Sequence, residues 1–560
     1  MTAAIYYHPE GYTTSGPKLM GRNAAGESFL RGFAKYSTCE RFWAYIEQPD
    51  HGPIFTNSMR NYGRVEEFEL IEKTSIDKLI DAGTLYYPGP GISELAYVRG
   101  IHAKSGNNNR HANWSLCGIT HTTSSAPAMD AIASIITSPI QTWDAVICTS
   151  KSVKSNVQKI LQAQVNYLEE RLGITKIILP QLPVIPLGIH TSDFKFKDLQ
   201  KKEHRQSLGI TSNAIVVLYM GRLSFHAKAH PLAMYQALEK AAAKTNKSVV
   251  LIECGWHANQ HIESAYSAAS QLACPSVKVI NLDGRDPEER TKAWAAADIF
   301  CSLSDNIQET FGITPIEAMA AGLPVVVSDW DGYKDTVRDG IDGFRIQTIM
   351  PPAGLAVDLA MRHATGLDTY DMYCGHTCAL IAVDIDATAQ AFIQLFSSDQ
   401  LRQTMGEEGR KRAIQEFDWK VIIPRYENLW AELNQLRNVE VDRTNSIINK
   451  TASWPARMDP FESFASYPSF NATEKTRFKL ADENQHIAFD RYKSFLNLAM
   501  VNYAKYLFPT HDEISKILSN LTSGSKSMAE VAALFSNDRQ AWIARSLIWL
   551  LKIGVLKLDL

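Results

Sequence analysis

Two carboxylates, Glu309 and Glu317, stand with seven residues between them inside Ser304–Gly322, SDNIQETFGITPIEAMAAG. The apolar runs Ala297–Leu303 before it and Val325–Val327 after it read as short buried strands, so the stretch is a loop that turns into a helix. Thr314 reads as the N-cap, Pro315 as the first helical residue and Gly322 as the stop. A helix start presents unpaired N–H groups and the positive end of a dipole, which together attract phosphate. Carboxylates beside it can accept hydrogen bonds from sugar and ribose hydroxyls. A second reading stays open, because Thr314-x-x-Glu317 also has the spacing of a capping box, in which the glutamate only closes the helix start.

Cations come from another loop. The strand formers Ala214–Tyr219 run into Met220-Gly221-Arg222-Leu223-Ser224-Phe225-His226-Ala227-Lys228. A guanidinium fork and a flexible ammonium there can neutralise phosphate charge, or they are simply two solvated loop cations. Leu116–Thr122, LCGITHT, reads as a strand ending in His121, which is either a structural hydrogen-bonder or a group facing a ligand. Near the N-terminus, strand Ala3–Tyr7 leads through the loop His8–Asn23 into a helix over Ala24–Tyr36. The small residues of Gly21-Arg22-Asn23-Ala24-Ala25-Gly26 let a backbone approach a ligand, or serve tight strand–helix packing.

The whole stretch Glu309-Thr-Phe-Gly-Ile-Thr-Pro-Ile-Glu317, running on through Ala-Met-Ala-Ala-Gly-Leu-Pro, resembles the E-x7-E signature of the GT-B glycosyltransferases of family 4, also called glycosyltransferase group 1. The resemblance implies that Glu309 touches the hydroxyls of a donor sugar and that Glu317 holds the ribose. Backbone amides around Phe311, Gly312, Ile313 and Thr314 then approach the sugar and diphosphate. Arg222 and Lys228 match the cations of a Gly-Arg-Leu-x-x-x-Lys element, with one residue inserted between them here, and fall on the donor diphosphate. Gly21 falls in the loop that faces the donor phosphates and the acceptor. His121 falls near the sugar's C6 hydroxyl, so that His121 and Glu309 form the catalytic pair. Ile185-Pro186-Leu187-Gly188-Ile189-His190 resembles the segment closing the first lobe, with Leu187 and His190 in place of Asn and Asp. Gly284–Glu289 fills the loop that meets the base, and Phe417-Asp418-Trp419 opens the helix that crosses back onto the first lobe.

Strands alternating with helical segments imply parallel sheets wrapped by helices. The expected fold is therefore α/β, with two Rossmann-like lobes in GT-B arrangement and a mostly helical, winged-helix-like C-terminal extension. An N-terminal acceptor lobe is expected over 1–195, a nucleotide-sugar donor lobe over 196–415 and a crossover helix over 416–436. A linker over 437–485 and the winged-helix-like module over 486–560 complete the chain. Gln347–Ile381, with Pro351-Pro352, reads as a surface insertion. In the tail, Met528–Phe535, Asn537–Lys552 and Val555–Leu560 follow in helix–helix–strand order. The would-be recognition helix carries Trp542, Ile543, Leu547, Ile548, Trp549, Leu550 and Leu551, which suits a core better than a DNA groove.

Composition narrows the classes. The 560 residues carry a net charge of −3 and 21% charged residues, so no basic footprint points to nucleic acid. The eight cysteines sit mostly in apolar runs, as small core residues do, and fit a reducing, cytoplasmic setting. Cys374-Gly-His376-Thr-Cys378 lacks a second half that would complete a zinc site. No metal and no cofactor are expected, since Arg222, Lys228 and the helix start do a cation's work. MTAAIYYHPEGY shows neither a basic leader nor an apolar core, so no signal peptide is expected. The most apolar stretch, Ser546–Leu558, is short and carries Lys552 and Lys557, which leaves peripheral membrane contact open but not insertion.

The resulting expectation is a retaining hexosyltransferase. It takes a UDP- or GDP-hexose as substrate and a glycan, lipid or protein hydroxyl as acceptor, with homo-oligomerisation through the tail. Two alternatives are a nucleotide-sugar-binding pseudoenzyme scaffold and a regulator acting through the winged-helix-like tail.

Overall fold

The computed structural model describes every residue except 1, 14–20, 66, 103–110, 444–452, 483 and 560. The chain divides into two compact units, Met1–Pro455 and Ala456–Leu560.

The first unit holds two parallel six-stranded sheets. In the first lobe these strands are β1 (Thr2–Tyr7), β2 (Phe42–Ile46), β3 (Phe68–Ile71), β4 (Gly83–Tyr86), β5 (Ser115–Ile119) and β6 (Ala145–Ile147). Their order across the sheet is β3-β2-β1-β4-β5-β6. The second lobe has β7 (Ile215–Met220), β8 (Val249–Gly255), β9 (Lys278–Asp283), β10 (Ile299–Ser302), β11 (Val325–Ser328) and β12 (Gly343–Ile346), in the order β12-β11-β10-β7-β8-β9. Both lobes are thus the same doubly wound fold, with helices on both faces, and the two-lobed α/β expectation holds. Strands covered on both faces need apolar side chains at every position, and β7 (IVVLYM) and β8 (VVLIECG) are buried along their whole length. In the second lobe the order reverses between β7 and β10, and a crevice opens beyond the carboxyl ends of two such strands. The loops that leave those two ends are the Arg222–Lys228 loop and the Ser304–Phe311 loop.

A long helix, Trp419–Arg443, returns from the second lobe onto the first. It is entered through a backbone bridge in which Ile189 N–H donates to Phe417 O at 2.8 Å and Trp419 N–H donates to Ile189 O at 3.1 Å. Trp419 is fully buried, and a Cβ placed on either Gly32 or Gly188 would lie 2.5 Å from its ring. Its indole N–H donates to Ser28 Oγ at 2.8 Å. Further along the helix, Glu427 accepts from Ser37 Oγ, while Arg437 Nη1 donates to Gly83 O and Ser115 Oγ.

His121 follows β5, and the start of β5 is pinned by a buried ion pair. Arg99 donates to both carboxylate oxygens of Asp144, at 2.6 and 2.8 Å, and neither side chain is exposed. Asp144 also accepts from Leu116 N–H and Gln141 N–H, both at 2.8 Å.

Two segments differ from expectation. Gln347–Ile381 is not only a surface excursion. It forms helices Val357–Ala364 and Tyr370–Cys378, closed by the antiparallel pair β13 (Thr348–Ile349) and β14 (Ala382–Val383). Cys374 and Cys378, one helical turn apart, are both buried, and Cys378 Sγ lies 3.8 Å from the carbonyl oxygens of Phe225 and His226. The stretch 437–485 is not a linker throughout. The crossover helix occupies its start to Arg443, and Arg477–Leu480 forms β15 of the second unit. β15 lies between β16 (Lys526–Ser527) and β17 (Leu556–Leu558) and pairs antiparallel with both. A four-residue strand whose partners come much later in the chain has no local periodicity to betray it. Around this sheet stand the helices Gln485–Leu496, His511–Leu521, Met528–Ala532 and Asn537–Lys552, the last two followed by β17 in the expected helix–helix–strand order. Phe478, Tyr492, Ile514, Leu518, Ile543, Leu547 and Leu550 form the unit's own core.

The Arg99–Asp144 pair yields a stability test. Asp144→Ala leaves a buried guanidinium uncompensated and is expected to cost about 3–5 kcal/mol. Urea unfolding followed by tryptophan fluorescence measures it, and a loss below about 1 kcal/mol would mean that the pair does not hold β5.

Candidate active site

The motif loop leaves β10 with Ser304, Asp305 and Asn306 buried. Asn306 sews it to the cation loop, donating from Nδ2 to His226 O at 3.0 Å and accepting Gln308 N–H on Oδ1 at 3.0 Å. Asp305 Oδ1 accepts the backbone N–H of His230 at 3.2 Å. These contacts bring the two loops beyond β7 and β10 side by side. Lys228 Nζ sits 3.0 Å from Glu309 Oε2, and Glu309 Oε1 accepts Thr310 N–H at 3.2 Å. Arg222 Nη2 donates to Ala227 O at 3.1 Å and to Gln308 Oε1 at 3.4 Å.

The turn into the helix depends on Gly312. Its φ is +85°, and a Cβ there would come within 2.0 Å of the Tyr333 ring. Gly312 is therefore the N-cap of helix Ile313–Ala321, so Thr314 and Pro315 are its second and third residues and not the cap and first residue. The capping-box reading fails for this reason. Glycine has no side chain to cap with, and among the described residues the helix start has no side-chain cap. Glu317 sits in the fifth position, partly exposed, with no hydrogen-bond partner among the described residues. Gly322 closes the helix at φ +80°, as the sequence reading has it. The Phe311 ring is buried near Phe417, with ring centroids 6.3 Å apart, so only its backbone is available to a ligand.

The second lobe meets His121 directly. Thr310 Oγ1 donates to His121 O at 3.2 Å, and Thr149 Oγ1 donates to Thr310 O at 3.4 Å. Burial, reinforced by the charge of Arg22, lowers the His121 imidazole to about 4, so it is neutral near pH 7. Gly21 itself is exposed, and the loop 14–20 before it lies outside the described residues. The two glutamates behave oppositely. Burial pushes Glu309 up, but Lys228 and the backbone N–H groups of Thr310 and Phe311 outweigh it and hold the carboxylate below its ordinary value. Glu317 is pushed up to about 7 by burial, opposed by Arg290 and reinforced by Asp193.

The structure thus gathers His121, Arg222, Lys228, Glu309 and the Phe311–Thr314 backbone, with Glu317 one helical turn further on. Several contributors have no sequence signal that singles them out. Gln308 and Asn306 lie inside the motif but carry no spacing rule. Asp331 and Asp335 join the second lobe to the start of helix Lys151–Leu172, accepting Ser150 Oγ at 2.9 Å and Lys151 N–H at 2.7 Å. His190 lies 3.2 Å through Nε2 from Ser28 O. The sequence also holds two acidic triplets, Asp329-Trp330-Asp331 and Asp384-Ile385-Asp386. Asp331 is bound to Ser150 and Asp384 caps its own helix at Ala387 N–H. Among the described residues no group of three His, Cys, Asp or Glu is placed to hold a metal, and His376 pairs with Asp368 at 2.9 Å.

Residues 200–351 match the family model described as glycosyl transferases group 1. The second lobe carries a glycosyl transferases group 1 domain. Among curated proteins the chain is 26% identical over 237 residues to the D-inositol 3-phosphate glycosyltransferase of Corynebacterium aurimucosum, a match spanning 42% of this chain and 47% of that one. It is 31% identical over 138 residues to the phosphatidyl-myo-inositol mannosyltransferase of Mycobacterium leprae, covering 24% of this chain and 27% of that one. The chain thus spans about half the length, or less, of these curated relatives. Among solved structures, Anabaena HepE in complex with UDP aligns over 79% of this chain and 100% of its own, with 15% identity and a TM-score of 0.46.

The raised Glu317 carboxyl has a thermodynamic consequence. The folded protein binds this proton more tightly than the unfolded chain, so the contribution to stability is full below the ordinary carboxyl value and lost as pH rises through about 7. Glu317→Gln is therefore expected to raise the melting temperature at pH 8 and much less at pH 5, a gain on the order of 2 kcal/mol. Thermal melts at the two pH values measure this, and equal shifts at both would show that Glu317 is not titrating in that window.

Proposed function

We propose that the chain is a retaining glycosyltransferase, moving a hexose from a nucleotide diphosphate sugar to a hydroxyl acceptor on a glycan, lipid or protein. One observation carries the reading. At the reversal point of a group 1 domain, an ionised Glu309 is held between Lys228 and backbone amides, directly before a helix whose first N–H groups have no cap. A buried anion beside a helix start without a side-chain cap suits a ligand that brings both hydroxyls and negative charge.

In this reading Arg222, Lys228 and the N–H groups of Gly312, Ile313 and Thr314 neutralise the diphosphate as it leaves. Glu309 receives the sugar's hydroxyls, and Glu317 receives the ribose hydroxyls in its ionised form. Neutral His121 offers the sugar a hydrogen bond without adding positive charge, and Gly21 lies on the phosphate and acceptor side. Retention follows from the family resemblance: the leaving phosphate takes the proton of the incoming hydroxyl on the same face of the sugar, and the protein supplies positioning and charge. The chemistry needs no metal, because the two cations and the helix start carry that load. Cytoplasmic location belongs to the same reading. The tail unit serves contacts with copies or other proteins. Its helix Asn537–Lys552 buries Ile543, Leu547 and Leu550 in its own core, and Arg539 is paired with Glu513 at 2.8 Å. No helix among the described residues is long and apolar enough to cross a membrane.

A panel of UDP- and GDP-sugars, read by calorimetry and by donor hydrolysis, tests the assignment. Glu317→Gln should weaken binding of the preferred donor by on the order of 1–3 kcal/mol. Donor hydrolysis should persist in EDTA. Unchanged affinity in the variant returns Glu317 to a structural role, and turnover lost on chelation and restored by manganese overturns the metal-free phosphate site.

A further inference from the structure

The inserted segment sends one side chain into the space between the lobes. Tyr370 is the first residue of helix Tyr370–Cys378. Its hydroxyl lies 3.1 Å from Ser124 Oγ and 3.4 Å from Thr122 Oγ1, and those two oxygens are 3.1 Å apart. Three hydroxyls therefore meet just after His121. At its other end the helix is seated on the cation loop. A Cβ on Gly375 would lie 3.0 Å from His226 Cβ, and Cys378 Sγ lies against the Phe225 and His226 carbonyls. The same His226 carbonyl accepts from Asn306 of the motif loop. Tyr370 thus stands on the second-lobe loop that carries Arg222 and Lys228, and reaches the first-lobe loop that carries His121.

The His121 loop is gripped from two sides. Thr310 holds the His121 carbonyl, and Tyr370 holds the side chains of Thr122 and Ser124. Thr122 Oγ1 in turn accepts Ser124 N–H at 3.3 Å, so the phenol's grip is passed to the backbone. We infer that Tyr370 is a positioning residue, supplied by this chain's insertion, whose phenol fixes the 121–124 loop and so sets His121 in the closed cleft. The inference rests on the reading of that cleft as the site of transfer.

The test is a double-mutant cycle in the full chain, with UDP-glucose and GDP-mannose as probes. Tyr370→Phe keeps the ring and removes only the oxygen. It is expected to lower the kcat of donor hydrolysis about fivefold, with the donor KM changed less than about twofold. In a His121→Ala background the same change should have no further effect, because the phenol acts through that loop. Hydrogen exchange over residues 120–125, read on the same proteins, should speed up severalfold in Tyr370→Phe. Equal losses in both backgrounds, a KM effect with kcat unchanged, or unaltered exchange over 120–125 would each overturn the inference. A wild-type protein that binds neither UDP nor GDP would overturn the functional reading itself, whereas intact nucleotide binding with additive losses overturns only the role of Tyr370.

Discussion

The contact on which the site depends is the ring of Tyr333 packed against Gly312. No side chain fits between them, and the backbone there takes a left-handed turn that only glycine adopts cheaply. That turn starts the helix two residues earlier than its Thr-Pro pair suggests. Glycine at that turn gives the helix start no side-chain cap, and Glu309 just before it lies 3.0 Å from Lys228. Gly332 repeats the constraint from the other side, since a Cβ there would lie 2.4 Å from Phe311 Cα. The phenol of Tyr333 is itself held, 2.8 Å from Ser302 Oγ at the end of β10. Strand, turn and helix start are thereby locked as one piece.

Around this piece, the competition between burial and pairing decides which groups are charged. Glu309 and Glu317 are eight positions apart and both lose water, yet they move in opposite directions. An ammonium at 3.0 Å and two backbone N–H groups overcome the desolvation of Glu309. For Glu317 burial, reinforced by Asp193, outweighs the opposing charge of Arg290, and the carboxyl is left easy to protonate. A carboxylate whose ionised form has no hydrogen-bond partner among the described residues is a place where a ligand's hydroxyls can contribute most. His121 obeys the same rule in reverse, since burial beside Arg22 keeps the imidazole neutral.

The lobes are joined by polar contacts at the cleft and by apolar ones behind it. At the cleft, Thr310, Thr149, Tyr370, Asp331 and Asp335 make hydrogen bonds from one lobe to the other, each a small increment in stability. Behind it, Trp419 is wedged where neither Gly32 nor Gly188 leaves room for a methyl group.

Much of this was legible in the chain itself. Continuous apolar runs mark strands buried on both faces, so the two parallel sheets, the motif loop and the glycine stop at Gly322 follow from local pattern. Glu309, Arg222 and Lys228 are singled out by the resemblance of their two loops to a family motif, and the structure brings those loops side by side. Three features are not legible. The helix start at Gly312 depends on a ring twenty-one residues away. The strand Arg477–Leu480 acquires meaning only from partners at 526–527 and 556–558. Tyr370, inside an insertion with no motif, gains its role from hydroxyls some 246 positions earlier. Sequence alone determines what backbone conformation and local burial can encode. Which distant groups share a low-dielectric space, and hence which carboxylate stays ionised and which loop holds His121, is decided only when the chain closes on itself.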